Sequence, residues 1–75
     1  MDIGGRVRAR RRDLNMSQEA LARRAGVTLN AISLLERGVS SDPHYSTLAG
    51  LAGALGASIA ELVGETDAPK APALA

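Results

Sequence analysis

From Ile3 to Val63 the apolar residues recur at spacings of three and four, and Gly, Asn, Ser and Pro punctuate them at short intervals. That is the pattern of short amphipathic helices joined by tight turns. Ile3, Val7 and Leu14 fall on one face of a first helix from Asp2 to Leu14, and Arg6, Arg8, Arg10, Arg11 and Arg12 fill much of the rest. Asn15 tolerates the left-handed conformation that ends a helix. Ser17 then caps a second helix, in which Leu21, Ala22 and Ala25 share the core face while Arg23 and Arg24 point away. Gly26 closes it.

Thr28 is a second N-cap residue, and Ile32 and Leu35 recur at three-residue spacing before Glu36, Arg37 and a terminating Gly38. The spacing predicts a helix over about 28–37. Ser40, Ser41, Asp42 and Pro43 mark a loop from Val39 to Tyr45. Leu48, Leu51, Ala52 and Leu55 give the apolar face of a fourth helix, with Gly50 and Gly53 inside it, for which close helix packing is the suggested reason. Gly56 ends that helix, and Ser58 caps a last one whose buried stripe is Ile59, Leu62 and Val63. The expected fold is all-α, a compact five-helix bundle over residues 1–63. Residues 64–75, GETDAPKAPALA, hold too few large apolar residues to fold alone and are expected to form a flexible tail or linker.

Seventy-five residues without Cys allow one domain held by packing alone, and Tyr45 is its only aromatic residue. No apolar run approaches a membrane span, and no signal peptide is evident, so a soluble, cytoplasmic protein is expected. The net charge of +1 conceals an asymmetry. Residues 1–38 hold eight Arg against Asp2, Asp13, Glu19 and Glu36, which is +4, whereas residues 39–75 hold Lys70 against four acids, which is −3. A basic half containing the helix pair fits a polyanionic partner.

A helix, a turn containing Gly and a second helix over 17–37 is the layout of a helix-turn-helix. The combined string SQEALA at the first helix, AGVT at the turn and IS-x-x-ERG at the end of the second resembles the Xre/Cro/CI family of DNA-binding domains, the group of lambdoid phage repressors. The resemblance runs from about Ile3 to Val63. It implies a lambda-repressor-like domain, bacterial or phage-encoded, that binds duplex DNA as a homodimer and regulates transcription, most often as a repressor. It also implies a buried ion pair between Arg11 and Glu36, tying the first helix to the end of the recognition helix. The family's dimer surface near the last helix and the preceding loop implicates Tyr45, Ile59 and Val63.

In a helix-turn-helix the second helix enters the major groove, and outward positions near its N-terminus meet base edges. With Ile32 and Leu35 turned inward, the outward set is Leu29, Asn30, Ser33 and Leu34. The Asn30 amide suits adenine, and Ser33 is short and undiscriminating. Two outward Leu depart from the polar residues the family usually carries there. They fit thymine methyl groups, or a protein-binding face such as that of an antitoxin meeting its toxin or an antirepressor. A third option folds Leu34 back on the Val39 loop. Ser17, Gln18, Ser46 and Thr47 lie at helix N-termini that attract phosphate, Thr28 caps the recognition helix, and Arg37 and His44 can add backbone contacts. Polymerase is a further protein partner that a regulator of this kind would meet.

One His, no Cys and no clustered carboxylates make a poor metal site. No cofactor or small-molecule ligand is implied. The serines have a single His among them and no pocket is expected in so small a bundle, so the sequence reads as a non-enzyme.

Overall fold

The computed structural model describes residues 2–40 and 42–64. Five helices follow in order: α1 (Ile3–Asp13), α2 (Gln18–Ala25), α3 (Leu29–Glu36), α4 (Tyr45–Leu55) and α5 (Ile59–Val63). The predicted tail lies, from residue 65 onward, outside the described residues.

Local chemistry sets most of these boundaries. Asp2 accepts from the Gly5 amide at 2.9 Å and starts α1. Ser17 and Thr28 each accept the amide three residues on, from Ala20 and Ala31, at 3.0 Å. Ser58 and Glu61 form a reciprocal capping box that lets the five-residue α5 hold its shape. The helices end where the chain turns left-handed, at Asn15 (φ 55) after α1 and at Gly26 (φ 74) after α2.

Val7, Leu21, Ile32, Leu51 and Leu55 are fully buried and form the centre of the core, joined by Ile3, Met16, Ala22, Leu35, Ala52 and Leu62. α2 packs most extensively on α4 and α3, while α1 lies across α3, α4 and α5. Leu48, Ile59 and Val63 are half-buried against that centre.

The predicted apolar face of α1 needs one correction. Leu14 is 48% exposed, because α1 stops at Asp13 and Leu14 becomes its C-cap residue. The left-handed Asn15 then swings Met16 into the core, where its amide returns to the Arg11 carbonyl at 3.0 Å. Arg10 makes a contact that its place on the helix did not indicate. Its guanidinium reaches the end of α4, donating from Nε to the Leu55 carbonyl at 3.3 Å and from Nη2 to the Gly56 carbonyl at 3.1 Å. A cation there satisfies carbonyls that have no partner in the last helical turn.

The two glycines of α4 separate. A Cβ on Gly50 would collide with the Ala25 carbonyl of α2, so close packing does explain this residue. Gly53 is exposed, with nothing near the place of its missing Cβ, and close packing does not explain it. Gly4 carries a contact that the periodicity did not indicate: a Cβ there would overlap the Leu35 carbonyl, so α1 crosses the end of α3 backbone to backbone. Two consecutive Gly at the start of a helix are the signal in the sequence.

Candidate nucleic-acid interface

α2 and α3 are linked by Gly26 and Val27, and the caps at Ser17 and Thr28 leave the first amides of each helix ahead of the first intrahelical bond. In α4 the first such bond runs from the Leu48 amide to the His44 carbonyl at 3.0 Å. The amides of Tyr45, Ser46 and Thr47 precede it, and His44 supplies no side-chain cap. Three helix N-termini therefore present amides and positive dipole ends, which favour anions.

On α3, Ile32 and Leu35 are buried and leave the opposite side free. Leu29 is 43% exposed at the first helical position, Asn30 is exposed beside it, and Ser33 is half-buried one turn further along. Leu34 is half-buried and differs from its outward assignment. The amides of Val39 and Ser40 fold back to its carbonyl at 3.0 and 3.2 Å, so the following loop closes over this turn. The Leu34 side chain lines a cleft of about 320 Å³ together with Thr28, Asn30, Pro43, His44 and Thr47. That cleft collects candidate base-reading and phosphate-facing residues from α3, the loop and the start of α4. Arg37, the C-cap residue of α3, is exposed at the far end of the helix.

Glu36 anchors the end of α3. Arg11 grips its carboxylate with two hydrogen bonds, Nε to Oε2 at 2.7 Å and Nη2 to Oε1 at 2.9 Å. The remaining Arg11 nitrogen, Nη1, donates to the Met16 carbonyl at 2.8 Å. The two side chains are 12% and 4% exposed, respectively. Gln18 joins them, its Nε2 donating to Glu36 Oε1 at 3.1 Å, so one carboxylate ties α1, the start of α2 and the end of α3. Sequence reasoning placed Gln18 only at a phosphate; nothing local in the sequence signals a bond across 18 residues.

Burial on its own would push the Glu36 carboxyl up. The hydrogen bonds from Arg11 and Gln18, with the charges of Arg11 and Arg8, outweigh burial and hold the carboxyl below its ordinary 4.5. The hydrogen bond to Glu36 raises Arg11 in turn, against the effect of burial. Such a pair fixes geometry more surely than it adds stability.

Tyr45 is 73% exposed at the head of α4, whereas Ile59 and Val63 are half-buried on α5. Among the described residues no group of His and acidic side chains is arranged to hold a metal ion, and no helix is long and apolar enough to cross a membrane.

Comparison with known proteins places these features in a family. The helix-turn-helix family model matches residues 7–62. The immunity repressor protein of Bacillus phage phi105 is 35% identical over 65 residues, covering 87% of this chain and 44% of that protein, so the chain spans less than half the length of that relative. The P22 c2 repressor, solved with a synthetic operator, is 37% identical over 87% of this chain and 97% of that one, with a TM-score of 0.79. SinR, a master regulator of biofilm formation solved with DNA, is 30% identical over 81% of this chain and 97% of that one, also at 0.79. A complex of SinR with SinI superposes at 0.81, with 29% identity over 87% of this chain and 63% of that one. These relatives are named as repressors and a regulator, not as enzymes.

Proposed function

The chain belongs to the helix-turn-helix family, and on that premise we propose that it is a DNA-binding transcriptional regulator acting as a repressor on a pseudo-palindromic operator. The observation that carries this reading is α3 itself. Its inner face is locked into the core and its end is pinned by Glu36, while Leu29 and Asn30 stand exposed at its N-terminus. An α-helix held in that way can lie in a major groove with its first turn against base edges. Asn30 reads adenine, and Ser33 stands beside it. Anchoring falls to the N-termini at Ser17 and Gln18, at Thr28, and at Ser46 and Thr47, with Arg37 and His44 adding side-chain contacts. The P22 c2 repressor solved with a synthetic operator and SinR solved with DNA support the same chemistry.

The regulator acts as a homodimer, with two recognition helices about 34 Å apart in successive major grooves. Exposed Tyr45, with Ile59 and Val63 of α5, supplies the contact between copies. Selection of bound duplexes from a random library, at two salt concentrations, tests the reading. The expected result is a two-fold symmetric motif with half-sites one helical turn apart and affinity that falls steeply with salt. Salt-labile background with no enriched motif would overturn it and favour a protein-interaction module of the same fold instead. Light scattering that showed a monomer on the selected operator would overturn the dimer.

A further inference from the structure

Leu29 is the one large apolar residue of α3 that stays exposed, since Ile32 and Leu35 are buried and Leu34 turns into the cleft beside the loop. It takes no part in the hydrophobic core; Thr28 and Asn30, on either side of it in the chain, are polar and exposed, and Ser33, one turn on, is polar and half-buried. A single leucine framed by polar side chains is too small a patch for a protein interface. It is the right size for one methyl group.

The major-groove edge of DNA offers one apolar group, the 5-methyl of thymine. Leucine has no hydrogen-bonding capacity, so it gains nothing from the other base-edge groups and leaves them dehydrated. We propose that Leu29 selects a pyrimidine bearing a 5-methyl group, so that at this position a 5-methylcytosine is bound like a thymine and an unmethylated cytosine or a uracil is disfavoured. The proposal rests on the DNA-binding reading and deepens it by naming the chemical group that is recognised. Both pyrimidines carry the methyl on the same ring carbon, while their neighbouring ring substituents differ, a carbonyl in one and an amine in the other. Leu29 cannot distinguish those substituents through hydrogen bonds. Asn30, adjacent and exposed, retains the polar readout of the next base.

The test uses an operator obtained by selection, with each thymine replaced in turn by deoxyuridine, which removes only the methyl. At one position per half-site the replacement is expected to weaken binding about fourfold, the worth of one buried methyl group. Cytosine at that position, compared with 5-methylcytosine, is expected to show the same fourfold difference. Both differences should vanish in Leu29→Ala, a surface variant whose unchanged melting temperature reports intact folding. Equal affinity for thymine and deoxyuridine at every position overturns the proposal while leaving DNA binding standing. Methyl sensitivity that persists in Leu29→Ala also overturns it, by assigning the contact to another residue. Failure to bind any duplex would strike the reading beneath it, a result distinct from either.

Discussion

Arg11 of α1 and Glu36 of α3 meet in a two-point ion pair, 2.7 and 2.9 Å long, at the spot where the recognition helix ends. Gln18 completes the site from the start of α2. The position of α3 is thereby fixed by charge and direction at its C-terminus, while its N-terminal turn, capped by Thr28, stands exposed. Glu36→Gln, which keeps the shape but removes the charge, is expected to weaken operator binding by loosening the placement of α3. Unchanged operator affinity together with an unchanged melting temperature would contradict this. Truncation to Ala leaves a mostly buried guanidinium without its carboxylate and is expected to cost about 3 kcal/mol of stability, read from urea unfolding.

The same pair sets an acid limit. Because the Glu36 carboxyl lies below its ordinary 4.5 in the folded state, its contribution is complete above that value and is lost as pH falls through the folded-state value. Melting temperature should therefore drop on the acid side of about pH 4.5, and Glu36→Gln should have a flatter profile there. Parallel acid profiles for the two proteins would show that other carboxylates carry the dependence.

Gly50 and Gly53 sit three residues apart in α4 and should respond oppositely to Ala. At Gly50 the added methyl meets the Ala25 carbonyl, a backbone atom that can move only with α2, and the expected loss is about 1–3 kcal/mol. At Gly53 the space is open, and helix propensity alone should give a gain of about 1 kcal/mol. Denaturation midpoints of the two variants decide this directly.

Arg10 should prove a local clamp. Its replacement by Met keeps the stem but removes the two bonds to the Leu55 and Gly56 carbonyls, with an expected loss of about 1 kcal/mol. Hydrogen exchange should quicken at the end of α4 and in α5 more than in α2. Uniform acceleration would place the effect on global stability instead.

Asn30→Ala should cost about 1–3 kcal/mol of operator binding and relax preference at one base pair. Gln18→Ala should weaken all sequences alike, and it also removes a hydrogen bond to Glu36, so a lower melting temperature should accompany it. If both variants lost affinity in the same sequence-independent way, base reading by Asn30 would be wrong.

Much of this molecule was legible in the sequence because it is decided locally. Ser17 and Thr28 start helices through a bond to an amide three residues away, and Gly26 stops one through its own φ, so the helix-turn-helix layout needs no knowledge of the rest of the chain. The inward faces of α2 and α3 follow from helical spacing alone. What the sequence left undecided depends on partners that are distant along the chain. Periodicity gives the direction of a side chain around its own helix axis, but not what arrives on that side. Leu34 points away from Ile32, yet the loop after α3 folds over it, whereas Leu29 stays open. Leu14 and Met16 exchange places because one left-handed residue between them redirects the chain. Gly50 and Gly53 are alike as letters; only the approach of α2 to one of them makes them different. Arg11 is not singled out from Arg8, Arg10 and Arg12 by periodicity; the resemblance to the family named its pairing with Glu36, and packing brings together these two residues 25 positions apart.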